Sequence, residues 1–317
     1  MKWFPSLRRR KPHVLLLLDV PNWAFDNSAK QIAQHLSGEF DFSFQYVHHN
    51  SPSRLNPKKF DLLYVFFWGE TFHQQFGFSP SRTMKEVSSH RWVDDERFGP
   101  CTAPEMVSRF LGDAETLLCT SKRLQNIVIP HHRRAFHTPN GIDTELFFRK
   151  SDRCELLTFG WAGNASDPLK GLDDILLPAC GSKFKLSIAP GQISHSKMNA
   201  FYNQLDVFAV ASRHEGEPLT LVEAMAAGCF PVCYNVGIVP ELITHGENGL
   251  ILQERSPEAF RKAFTWCQDH PEIVRGAGQA NAIKIAKERN WVTIVDYFRK
   301  AFNDTIEYAN GEGTRNK

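Results

Sequence analysis

The chain has 317 residues, of which 42% are hydrophobic and 23% charged, with a formal net charge of +2. That length is comfortable for two domains, the composition is that of an ordinary soluble globular protein, and a charge so near neutral gives a nucleic-acid partner no footing. Seven scattered cysteines without any C-x-x-C argue against a disulfide framework or a zinc site and suit a reducing, cytoplasmic setting. At the start, MKWFPSLRRRK sets Trp3, Phe4 and Leu7 before Arg8 to Lys11. It suits either peripheral contact with an anionic membrane or a solvated tail. No apolar run approaches the length of a membrane span, and the first of them, Val14 to Leu18, suits a buried parallel strand.

HVLLLLDV reads as a strand and SAKQIAQHLSGEF as a helix with Ile32, Ala33 and Leu36 on one face. DFSFQYVHH and FDLLYVFFW read as strands, APEMVSRFLGDA as a helix, ETLLCTS as a strand and SKRLQNIVI as a short helix. This βαβ rhythm predicts a parallel sheet covered on both faces. Near Arg134 it gives way to AFHTPNGIDTELF, where Pro139, Asn140 and Gly141 make a turn. The rhythm restarts with LLTFGWAG, KGLDDILLPAC, KFKLSIAPG, MNAFYNQL and DVFAVAS. SPEAFRKAFTWCQDH and PEIVRGAGQANAIKIAKER read as closing helices, then NWVTIVDYFRKAFNDTIEY as a long amphipathic one. The expected division is therefore a first domain over 1–150, a second over 151–290, and a final helix with a disordered polar tail, NGEGTRNK, over 291–317.

The segment that carries chemistry is SRHEGEPLTLVEAMAAG, in which Glu215 and Glu223 have seven residues between them. Glu215 lies in a Gly- and Pro-containing loop and Glu223 in the first turns of a helix, with Pro218 suited to its first position and Gly228 to its C-terminal cap. A helix N-terminus attracts phosphate, and carboxylates accept hydrogen bonds from sugar hydroxyls. The pairing suits a nucleotide sugar, although two glutamates at such spacing also occur by chance on solvated helices.

Taken with DVFAVAS ahead of it and CFPVCYNV, GIVPE and HGENG behind, this string resembles the donor-binding segment of family 4 glycosyltransferases, which have the GT-B fold. The resemblance implies two Rossmann-like α/β domains facing across a cleft, with the last helix crossing back to the first domain. Pro139 to Asp143 matches the segment that closes that domain. Glu223 is then expected on the ribose hydroxyls, Glu215 on the transferred sugar, Gly216 where backbone approaches the donor, and Leu219 and Thr220 as amide donors to the phosphates. Ile188 to Gly191 falls where the family holds the base. In the loop GWAGNASDPLKG, Gly163 permits close approach and Lys170 matches the family's phosphate-binding lysine. Asn164 stands where the family usually has an arginine, so one positive charge is missing there. On the first domain His90 falls near the family's active-site histidine, with Arg91 beside it. Asn22 and Trp23 replace a glycine-rich loop on the acceptor side, Trp23 serving either as a sugar-stacking platform or as core.

The implied activity is retaining transfer of a sugar from a nucleoside-diphosphate sugar to a hydroxyl of a sugar, glycan or glycolipid acceptor. No cofactor or metal is expected: D-x-D is absent, and the acidic trio Asp94, Asp95 and Glu96 reads as a solvated loop. Lys170 and backbone amides would meet the charge developing on the leaving diphosphate. A nucleotide-sugar epimerase or glycosyl phosphorylase on the same scaffold, or a non-catalytic nucleotide-sugar-binding subunit, are the alternatives.

Overall fold

A computed structural model describes residues 10–49, 54–150, 156–191 and 193–315. Of the basic aromatic stretch Met1 to Lys11, expected either at a membrane surface or as a solvated tail, Met1 to Arg9 lie outside the described residues. Six strands form the first sheet: β1 (His13–Leu18), β2 (Asp41–Tyr46), β3 (Leu62–Val65), β4 (Thr83–Val87), β5 (Thr116–Cys119) and β6 (Ala135–His137). They run in the order β2-β1-β3-β4-β5-β6 and every pairing is parallel. Five more form the second: β7 (Phe159–Ala162), β8 (Leu186–Ala189), β9 (Val207–Val210), β10 (Phe230–Tyr234) and β11 (Leu250–Leu252). Their order is β11-β10-β9-β7-β8, again all parallel. Parallel strands are joined by crossovers that cover the sheet, so the strands are apolar on both faces. In β1, Val14, Leu16 and Leu18 face one core and Leu15 and Leu17 another.

Four strands are absent from the sequence reading, β10 among them having been read only as the apolar run CFPVCYNV. β6 and β11 are three residues each, too short to show a period. β4, at the middle of the first sheet, carries Lys85 and Glu86, both buried, and so lacks the apolar signature of a buried strand. Tertiary partners account for it. The Lys85 ammonium donates to the Phe110 carbonyl at 2.6 Å and lies 2.7 Å from Asp113. His73 and Gln74 also reach Asp113, each at 2.8 Å. Burial acts to raise the Asp113 carboxyl, but the bonds from His73, Lys85 and Gln74 outweigh it and hold it well below its ordinary range.

The last helix, Trp291–Arg315, returns to the first sheet and packs Trp291, Ile294, Val295, Phe298 and Phe302 into its core. Thr305 and Thr116 hydroxyls meet at 2.9 Å beneath it. The disordered tail expected from NGEGTRNK is corrected as far as Arg315, since the helix runs on through these residues. Extending a helix adds one hydrogen bond per residue ordered, whereas starting one is costly. Among the described residues no helix is long and apolar enough to cross a membrane.

Candidate active site

The C-terminal ends of both sheets open onto one cavity of about 600 Å³, lined from the first half by Asp19, Trp23, Glu86, Ser88 and Arg91 and from the second by Gly163, Asn164, Lys170, Glu215, Leu219 and Thr220, among others. Strand ends are where an open parallel sheet presents its loops to a ligand. The helix Leu219–Ala226 begins at this wall. Pro218 occupies the residue before the helix rather than its first position, is extended (φ −69°, ψ 99°), and offers no side-chain cap. The first N–H groups of a helix lack intrahelical partners, so the Leu219 and Thr220 amides face the cavity wall without a capping oxygen.

Lys170 ends the short turn Pro168–Lys170, and the next residue, Gly171, takes φ +72° where a Cβ would meet the Ala211 carbonyl at 2.4 Å. That tight fold aims the lysine at the cavity, where its ammonium donates to Glu215 Oε1 at 2.6 Å. Lys170 and Glu215, read separately from the sequence, thus form one ion pair on the cavity wall. Asn164 lines the same cavity, and its Oδ1 accepts from the Ser166 amide at 3.1 Å.

Glu223 stands apart from this cluster. Its carboxylate lies 3.0 Å from His195 Nε2, accepts from the Tyr202 hydroxyl at 2.7 Å, and opens onto a smaller cavity of about 140 Å³. Leu219 lines both cavities, so the start of the helix separates Glu215 on one side from Glu223 on the other. Ile188 to Gly191 line neither of the two.

Gly216 serves contact between the halves. A Cβ there would lie 2.0 Å from the Ser88 carbonyl and 2.5 Å from the Thr120 hydroxyl, so the backbone approach open to a donor in the sequence reading is taken by the first half. His90 packs edge-on against His214, ring centroids 4.5 Å apart, and is not among the residues lining the cavity. Burial first, then the neighbouring His214 and Arg123, push its imidazole down to about 4, so it is neutral near pH 7.

The acidic trio is corrected. Asp94 crosses the cleft to lie 2.9 Å from His214 and accept from Arg213 at 3.2 Å. Asp95 is buried and held by Arg97 at 2.9 and 2.6 Å. Only Glu96 is a solvated side chain. The partners of Asp94 lie 119 and 120 residues away, beyond any local pattern. Asn22 adopts φ +60°, accepts from Lys30 at 3.2 Å and is not among the lining residues. Trp23 is 51% exposed and lines the cavity, which rules out the core role.

Two buried carboxylates were missed. Glu217 accepts from the Asn140 amide at 2.6 Å and pairs with Arg289, which also donates to the Asn140 carbonyl at 2.9 Å. One side chain thus ties the segment leaving the first half, the helix returning to it and the donor-side loop. Glu86 accepts from the Tyr64 hydroxyl at 2.5 Å and lines the cavity. Burial raises it to about 8, against that hydrogen bond. No local signal marks either: Glu86 sits in TMKEVSS beside a lysine and near two serines, and Glu217 opens the loop-to-helix string EPLTLVEAM.

Comparison with known proteins bears on the second half first. Residues 187–305 match the family described as "Glycosyl transferases group 1". A D-inositol 3-phosphate glycosyltransferase of Corynebacterium glutamicum is 30% identical over 118 residues, covering 37% of this chain and 28% of that protein. The chain therefore spans little more than a quarter of that relative. Among solved structures, a sucrose-phosphate synthase from Thermosynechococcus elongatus superposes with a TM-score of 0.69 at 15% identity, covering 93% of this chain and 99% of that one. Anabaena Alr3699/HepE in complex with UDP-glucose does so with a TM-score of 0.65 at 16% identity, covering 92% and 99%. The chain has the GT-B fold, and its residues 187–305 are similar to the group 1 glycosyl transferases.

Proposed function

We propose that this chain transfers a sugar from a nucleoside-diphosphate sugar to an acceptor hydroxyl, with retention of anomeric configuration. The observation that carries the reading is the convergence of Lys170, the uncapped amides of Leu219 and Thr220, and Glu215 on one cavity shared by both halves. The diphosphate sits on the amides and Lys170, the ribose hydroxyls on Glu223 and the transferred sugar near Glu215. As the sugar–phosphate bond breaks, charge grows on the leaving oxygen. A lysine fixed beforehand by Glu215 meets it without reorganising. This donor set supplies the stabilisation for which other enzymes use a cation, so turnover persists in chelator. The acceptor hydroxyl approaches from the first half past Trp23 and hands its proton to the leaving phosphate on the face from which that phosphate departs. One of the similar structures is described with UDP-glucose, which places a nucleotide sugar among the donors to try first.

The test is thermal stability with UDP, GDP, ADP, dTDP and their sugars, on wild type and Glu223→Ala. A ligand at about 100 times its Kd adds roughly 2.7 kcal/mol of apparent stability. The expected result is a shift with one base, weakened in Glu223→Ala. Absence of any shift in wild type would sink the transferase reading.

A further inference from the structure

A diphosphate diester carries a negative charge on each phosphate, and among the described residues the second half lines the cavity with a single lysine or arginine, Lys170, already shared with Glu215 at 2.6 Å. Two arginines line the same cavity, Arg91 and Arg97, and both come from the first half. Arg97 is committed, its Nε and Nη2 donating to the two oxygens of Asp95 at 2.9 and 2.6 Å. Arg91 is anchored at one nitrogen. Its Nη2 crosses the cleft to donate to Asp167 Oδ2 at 2.5 Å, while its Nε is buried without a partner. Asp167 is itself fixed in the loop that carries Lys170: its Oδ1 accepts from the Leu169 amide at 3.1 Å. A carboxylate so held acts as a bracket that keeps the guanidinium over the donor-side loop with part of its fork of donors unused. Burial makes an unmet N–H costly, and an anion of the right geometry would satisfy it. Guanidinium is well matched to phosphate oxygens.

We propose that Arg91 is the second cation of the diphosphate site, supplied from the opposite half and positioned by Asp167. The proposal rests on the transferase reading above and moves Arg91 from the acceptor to the donor. It also means that the diphosphate site is complete only when the two halves are together, so donor binding and closure are one event.

The experiment is calorimetric titration of the full chain with UDP, GDP, ADP and dTDP, and with the matching nucleosides. Arg91→Gln should weaken the diphosphate that wild type binds by about 10-fold to 100-fold, the value of one charge-assisted hydrogen bond, while nucleoside affinity changes little. Asn164→Arg added to Arg91→Gln should restore most of the loss, because it returns a cation to the donor-side loop by another route. Unchanged diphosphate affinity in Arg91→Gln would overturn the proposal. So would equal weakening of diphosphate and nucleoside in both Arg91→Gln and Asp167→Asn with no rescue by Asn164→Arg, which would make the pair a closure contact alone. Wild type that binds none of the four diphosphates would bring down the transferase reading, and the proposal with it. Melting curves on each variant separate loss of binding from loss of fold.

Discussion

Strands β9 and β10 of the second sheet are apolar and buried along their whole length, whereas β4 of the first sheet buries Lys85 and Glu86 side by side. Among the described residues no strand of the second sheet carries a charged residue. The first must answer each buried polar group: Lys85 with Asp113 and the Phe110 carbonyl, Glu86 with the Tyr64 hydroxyl. Breaking such an answer costs more than the pair adds to stability, because the remaining group is left unmatched. The second half keeps its buried glutamates, Glu215, Glu217 and Glu223, in the loop and helix beside the cavities, whereas the first carries polar groups through its sheet to the cavity wall at Glu86.

Lys85→Ala breaks the contrast most directly. Removing the ammonium leaves the Phe110 carbonyl unmet and Asp113 with only His73 and Gln74, and urea unfolding should show a loss of about 3–5 kcal/mol. A loss below about 1 kcal/mol would mean that β4 is as indifferent to its charges as a surface strand. Lys170→Ala sharpens the other side. Glu215 loses its partner, so stability should fall by about 1–3 kcal/mol, less than for Lys85→Ala, while kcat falls by about 10²–10³, the usual loss for one preplaced donor to developing charge. A change confined to KM would move Lys170 from leaving-group stabilisation to ground-state binding.

Glu86→Gln tests whether the buried carboxyl is tuned. The native state keeps its proton up to about 8, against an ordinary value of 4.5. The folded form thus binds the proton more tightly than the unfolded one. By linkage, stability falls as pH rises between those values, and Glu86→Gln should flatten that slope. His90 works in the opposite sense: its imidazole is pushed down to about 4, so stability declines as pH falls from 6.5. An unchanged melting profile over pH 5–8 in Glu86→Gln would show the carboxyl to be solvated. Trp23→Ala is the smallest perturbation. At 51% exposure it should alter stability by less than about 0.5 kcal/mol while raising the KM for the acceptor. A larger fall in melting temperature would make Trp23 a packing residue.

Much of the second half was legible because its signals are local. A helix start at Pro218, a glycine cap at Gly228 and apolar runs such as DVFAVAS and CFPVCYNV all sit within a few residues of one another. The first half was legible only where its strands are apolar. β4 went unread because a buried lysine and glutamate look solvated until their partners are known. Glu217 went unread because Arg289 lies 72 residues beyond it, and the trio at Asp94 was misread because Arg213 and His214 are farther still.

The amino-acid sequence by itself determined two parallel α/β halves, the carboxylate–helix segment and the lysine loop, since periodicity, turn chemistry and helix ends are short-range properties of a chain. Only the tertiary structure decided that Lys170 pairs with Glu215, that Gly216 rests on the Ser88 carbonyl and that Arg91 reaches Asp167 across the cleft. The reason is one of range: charge pairing and close backbone approach act through a few ångströms of space, and the residues they join are 45, 128 and 76 positions apart in the chain (215 − 170, 216 − 88 and 167 − 91).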